Sequence, residues 1–227
     1  MKSIKIGVLG GIGPESTGIF YLKLIRKLQM DKIISNNGDF PQIIINSIPA
    51  PELIFDKISD EDLKPYTKGL EELDDMNLDF IVMVCNTIHL FYDMLQKSLK
   101  TKIIDLREEV LYTLKNIDKN KVTIIGTPNT ISLGLYNFQG IEYYNPTEKE
   151  LKLLSKTIFL FNKGIDKDKQ VEEARRIVDK YITKGSQVVL LACTEFAVML
   201  DDIDILKINT IDVLVEAVIR RYKMIKE

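Results

Sequence analysis

The sequence predicts an α/β fold of two similar three-layer α/β domains, each with a mostly parallel sheet, related by pseudo-twofold symmetry. Three observations lead there. Short apolar runs alternate with longer amphipathic stretches, the pattern of parallel strands covered by helices on both faces. Two buried strands each end in cysteine, with threonine just after, and a helical pattern follows both. Three strand segments of the first half reappear in the same order in the second.

Residues 4–9 read as a buried strand that ends in Gly10-Gly11-Ile12-Gly13-Pro14. Residues 16–28 have helical periodicity, with Ile19, Leu22, Ile25 and Leu28 on one face. Residues 42–48 form the next strand and 63–73 a charged helix. The apolar run 80–84 is a strand that stops at Cys85, and 88–95 is the helix behind it. Residues 102–104 make a short strand before Asp105, and 108–114 open another helix. Further strands are expected at 122–125, 140–144, 188–192 and 208–211, and helices at 155–162, 171–182 and 213–225.

The internal echoes pair Lys5-Ile6-Gly7-Val8-Leu9-Gly10 with Lys121-Val122-Thr123-Ile124-Ile125-Gly126. They pair the strand and motif ending Cys85-Asn86-Thr87 with that ending Ala192-Cys193-Thr194. They pair Ile103-Ile104-Asp105 with Thr210-Ile211-Asp212. The offsets are 116, 108 and 107 by residue number. Residues 1–107 with 207–227 are expected to form the N-terminal domain, and 108–206 the C-terminal one. In such sheets ligands bind beyond the carboxyl ends of the strands, where both cysteines lie.

Bulk properties exclude several classes. The chain has 227 residues, 45% hydrophobic and 28% charged, with net charge −2 and no basic cluster, so no nucleic-acid partner is expected. No apolar run approaches the roughly 18 residues of a membrane span, and no signal-peptide pattern opens the chain. A cytoplasmic location follows as an expectation. Cys85, Cys193 and the single histidine, His89, fall short of a zinc set, so no metal is expected. Cys-x-x-Cys is absent, which argues against a thiol redox protein. Gly11-Ile12-Gly13 is a fragment of a dinucleotide fingerprint with Ser16 in place of its last glycine, and the phosphate-loop Lys is missing after Gly18. The loop is therefore a tight turn or a backbone cradle for a carboxylate.

The cysteines carry the chemical expectation. A strand-to-helix turn leaves backbone N–H groups unpaired, and these with the helix dipole favour a thiolate. Inverting a carbon centre requires removing a proton from one face and returning one to the other, which two opposed acid/base groups can do. Asn86, Thr87 and Thr194 cap helices or hold a ligand. His89 is expected to be structural, and Tyr143 and Tyr144 to belong to a strand.

Val8-Leu9-Gly10-Gly11-Ile12-Gly13-Pro14-Glu15-Ser16-Thr17 resembles the opening of the aspartate/glutamate racemase family. Cys85-Asn86-Thr87-Ile88-His89 and Cys193-Thr194-Glu195-Phe196 resemble its two cysteine motifs. Gly126-Thr127-Pro128-Asn129-Thr130-Ile131 and Leu135-Tyr136 match its middle region. The resemblance spans essentially the whole chain. It implies a cofactor-independent two-base racemase with its site in the cleft between two α/β domains, and a homodimer. On this basis Cys85 and Cys193 are the acid/base pair. Gly11, Gly13, Asn86, Thr87, Thr127, Lys163, Thr194 and Glu195 are expected at the substrate, an amino acid. Glu195, where glutamate racemases carry His, points to the aspartate branch, with glutamate as the alternative substrate. Lys163 matches a substrate-contacting lysine or is a solvated surface residue. Ile48-Pro49 is followed by Ala50-Pro51 where some aspartate racemases carry Asp-Arg. A related decarboxylase or isomerase, and a non-catalytic small-molecule binding protein, are the competing readings.

Overall fold

The computed structural model describes residues 4–54 and 57–226. Residues 1–3, expected to lead into the first strand, lie outside them, as does residue 227. The first half runs β1 (Lys5–Gly10), α1 (Pro14–Met30), β2 (Gln42–Ser47), α2 (Asp60–Asp74), β3 (Phe80–Met83), α3 (Tyr92–Lys97) and α4 (Leu106–Lys115). The second runs β4 (Lys121–Gly126), α5 (Pro128–Ser132), β5 (Glu142–Tyr143), α6 (Glu148–Asn162), α7 (Lys167–Thr183), β6 (Val188–Ala192), α8 (Thr194–Met199), β7 (Lys207–Asn209) and α9 (Thr210–Lys226).

Two sheets result, ordered β2-β1-β3 and β5-β4-β6-β7, with every pairing parallel. The 102–104 strand reduces to one bridge, Ile81 to Ile103, held by Ile81 N–H to the Lys102 carbonyl and Ile104 N–H to the Ile81 carbonyl, both 2.9 Å. That bridge occupies the place in the first sheet that β7 occupies in the second. Ile103 lies beside Ile81 on β3 as Lys207 lies beside Val189 on β6. The third internal echo is therefore Ile103-Ile104-Asp105 with Lys207-Ile208-Asn209, three residues earlier than the sequence match. The caps explain why. Asp105 accepts from the Arg107 N–H at the start of α4, and Asn209 accepts from the Ile211 N–H at the start of α9, 2.9 Å each. Ile211, expected in a strand, is therefore in the helix. The strand expected at 208–211 adds to the edge of β6 in the second sheet, while α9 packs on α1 and α4 of the first half.

Strand alternation divides the core. Ile6, Val8, Phe80, Val82 and Val84 face a cluster that continues through α1, α9 and the second sheet. Leu9, Ile81 and Met83 face a second cluster under α2 and α3. On α1 the buried stripe is Phe20, Leu24 and Leu28; Leu22, expected inside, is 41% exposed. Both stripes obey helical spacing and share Leu28, so periodicity alone did not separate them. The helix expected at 88–95 opens as a 3₁₀ helix, Thr87–Phe91, before α3 begins.

The glycine loop between β1 and α1 is set by backbone geometry. Gly11 has φ of 86°, and a Cβ there would lie 2.3 Å from the Ile48 carbonyl oxygen. Gly18, exposed within α1, has open space around it. Gly11→Ala is expected to destabilise the protein by about 1–3 kcal/mol, whereas Gly18→Ala raises stability by about 0.4–1 kcal/mol. Urea unfolding of both variants checks the pair; equal effects would contradict the assigned loop geometry.

Candidate active site

The ends of β1, β2, β3, β4 and β6 converge on one cavity of about 220 Å³. Cys85 follows β3 and Cys193 follows β6, so each half contributes one cysteine to the same wall-lined space. Of the residues expected at the site, Gly11, Gly13, Asn86, Thr87, Thr127, Thr194 and Glu195 also line it. A larger groove, about 880 Å³, runs along the β2 edge and α2, but it is an open surface without either cysteine.

Lys163 is not brought in. It caps the end of α6, exposed, with its ammonium over the Phe159 ring at 4.1 Å from the centroid. Thr130 lies just behind the lining, where Thr87, Thr127 and Thr130 join their hydroxyls in a triangle with sides of 3.0–3.1 Å. Asn86 is held similarly. Its Oδ1 accepts from Tyr136 at 2.5 Å and its Nδ2 donates to Thr210 at 3.0 Å. Much of the hydrogen-bonding capacity of Asn86 and Thr87 therefore goes to the protein itself.

Glu195 sits at the centre of the polar network. Its Oε2 accepts from the Cys193 thiol at 2.8 Å and from the Thr194 hydroxyl at 3.2 Å, and its Oε1 accepts from Asn162 at 3.2 Å. Gly13 makes room for it, since a Cβ there would lie 2.6 Å from Oε1. Sequence reasoning passed over Asn162 and Glu52. Asn162 ends α6 with no local signature. Glu52 stands among apolar residues just beyond the end of β2, and a lone charge in that setting was the available signal.

The thiols depart from the expectation of easy ionisation. Burial pushes Cys85 up to about 12; the Ile88 and Thr87 N–H groups pull it down, but Glu195 pushes it up further. Burial likewise raises Cys193 well above an ordinary thiol, reinforced by the charge and hydrogen bond of Glu195. The helix-start donors are present, yet desolvation of the anion outweighs them. His89 is fully buried and its Nδ1 lies 2.7 Å from the Cys85 carbonyl oxygen; burial lowers its pKa, so the imidazole is neutral and structural. Tyr143 is a strand residue whose hydroxyl donates to the Tyr136 carbonyl, and Tyr144 follows that strand.

Residues 9–219 match the family model described as Asp/Glu/Hydantoin racemase. A broad specificity amino-acid racemase of Bacillus subtilis (strain 168) is 28% identical over 205 residues, 87% of this chain and 88% of that protein. The structure of an aspartate racemase from Picrophilus torridus superposes with TM-score 0.79 at 21% identity, covering 96% of this chain and 94% of that one. A glutamate racemase from Francisella tularensis, solved with D-glutamate, superposes with TM-score 0.68 at 20% identity, covering 100% and 83%. At these identities the structural likenesses establish the fold. No helix among the described residues is long and apolar enough to cross a membrane.

Both buried thiols are expected to be protonated in the ligand-free protein near neutral pH. With a value of about 12, about one Cys85 in 10⁴ is ionised at pH 8. Iodoacetamide labelling of Cys85, followed by mass spectrometry, should rise about tenfold per unit from pH 7 to pH 10, where a free thiol levels off above about 8.5. A plateau near pH 9 would refute the assignment. Glu195→Gln removes a charge that opposes ionisation, so Cys193 should label faster at the same pH.

Proposed function

The chain belongs to the Asp/Glu/hydantoin racemase family and is an amino-acid racemase, and from that premise we propose that Cys85 and Cys193 are its two acid/base groups. The observation that carries this reading is that equivalent strand ends, one from each half, deliver one thiol each to a single cavity. A substrate α-carbon between them exposes its hydrogen to one sulfur and its opposite face to the other.

In one direction the Cys193 thiol passes its proton to Glu195, to which it is already hydrogen-bonded. The resulting thiolate removes the α-proton, and the Cys85 thiol protonates the opposite face of the carbanion. One C–H bond breaks and one forms, leaving Cys193 and Glu195 protonated and Cys85 ionised, and the proton parked on Glu195 returns to the Cys85 thiolate once product has left. The reverse reaction exchanges the roles. Burial disfavours either thiolate, so the α-ammonium of the substrate supplies the nearby positive charge that makes one accessible. Thr87, Thr127 and Thr194, with the remaining Asn86 N–H and the Gly11–Gly13 backbone, hold the α-ammonium and α-carboxylate. The family resemblance adds a homodimer and offers aspartate, then glutamate, as substrate, and the sequence pattern adds a cytoplasmic location. The breadth named for the Bacillus relative supports a substrate range wider than these two.

Cys85→Ser and Cys193→Ser should each lower racemisation by about 10²–10⁴-fold, because serine cannot supply a thiolate and inversion needs both faces. Chiral chromatography, with deuterium incorporation measured in D₂O from each enantiomer, follows both half-reactions. Near wild-type racemisation by either variant would rule out the two-thiol mechanism.

A further inference from the structure

We propose that the amino acid taken by this site carries a positive charge on its side chain, and that the Glu52 carboxylate is the counter-ion. The inference rests on the racemase reading and names its substrate class.

The cavity contains the argument. Among the described residues its lining includes no lysine, arginine or histidine, and the formally charged side chains are Glu52 and Glu195. An α-amino acid already brings one carboxylate. Aspartate or glutamate would bring a second to a cavity that already has one carboxylate buried in its wall, Glu195, and another, Glu52, at its exposed rim. Each anion placed there without a paired cation is costly. A side-chain ammonium or guanidinium reverses the sign of that balance.

The two glutamates are not equivalent. Glu195 is engaged by Cys193, Thr194 and Asn162. Glu52 lies on the segment after β2, between Pro51 and Leu53, and all three residues line the cavity. Its carboxylate makes no hydrogen bond and no ion pair among the described residues. Lys163 acts on it only through its longer-range field, with the ammonium resting on Phe159. Burial and the charge of Glu195 raise the Glu52 pKa, with Lys163 opposing them. A cation seated against Glu52 relieves both effects, and a guanidinium can engage the carboxylate with two parallel hydrogen bonds. The preceding residues point the same way. Ala50-Pro51 also line the cavity and bring no charge to that wall, so Glu52 is the charge this segment offers a ligand.

The test is a racemisation assay of the purified protein against both enantiomers of lysine, arginine, aspartate, glutamate and methionine, with α-deuterium exchange as a second readout. The expected result is kcat/KM for lysine or arginine at least about tenfold above that for aspartate and glutamate, the scale of one hydrogen bond to a charged group. Glu52→Gln should lower the lysine-to-methionine ratio of kcat/KM about tenfold, chiefly through KM. Glu52→Arg should shift preference toward glutamate. Because both effects are ratios, a general loss of folded protein does not produce them. Preference of the wild type for acidic or neutral amino acids, or an unmoved ratio in Glu52→Gln, overturns the proposal and leaves the racemase reading standing. Neither racemisation nor exchange with any of the five amino acids overturns both.

Discussion

Asn86 lies between the two halves of the molecule and ties the turn that carries one sulfur to the strand that carries the other. Its carbonyl oxygen accepts from Tyr136 of the second half, its amide donates to Thr210, and Thr210 donates on to the Leu191 carbonyl at 2.8 Å. Asn86 is the residue after Cys85, and Leu191 is two residues before Cys193. The chain of hydrogen bonds therefore runs from beside one thiol to beside the other. Every member is buried, so loss of one leaves polar atoms unpaired at a cost of about 1–3 kcal/mol each. The Thr87–Thr127–Thr130 triangle makes a second crossing between the halves. The proposed reaction, with one group at each face of a single carbon, requires such fixed spacing.

The same closeness creates the electrostatic problem of the site. Cys85 is 7% exposed and Cys193 6%, and Glu195 places a carboxylate beside them. Helix-start N–H groups would favour thiolates in an open cleft; here dehydration prevails. On the proposed two-thiol reading, a site whose burial resists negative charge depends on its substrate to bring positive charge in. That makes the α-ammonium part of the machinery, and it makes the sign of the side-chain charge consequential.

The sequence was informative where the relevant forces are local. Continuous apolar runs located β3 and β6, and the cysteines at their ends fell into one cavity because parallel strands present their carboxyl ends together. Legibility failed where position depends on distant partners. The register of β7 is set by the Asn209 cap and the open edge of β6, neither visible as a pattern. The buried face of α1 is chosen by α9, nearly two hundred residues away in sequence. Glu52 and Asn162 reach the site from loop and helix ends whose own sequences are unremarkable, and Lys163, read from a motif position, is turned onto Phe159 instead.

The pseudo-symmetry is broken where it bears on chemistry. Aligning Cys85 with Cys193 sets Thr87 against Glu195 and His89 against Ala197. One thiol thus has a carboxylate acceptor at hydrogen-bond distance, while the position equivalent to that carboxylate is a hydroxyl held in the threonine triangle. The two thiols consequently differ in proton affinity. Enantiomers have equal free energy in an achiral solvent, so kcat/KM must be the same in both directions whatever that difference is. On the proposed two-thiol reading the asymmetry is confined to how kcat and KM divide for each enantiomer. A repeated scaffold supplies the two cysteine-bearing strand ends, and Glu195 in the place of Thr87 makes their surroundings unequal.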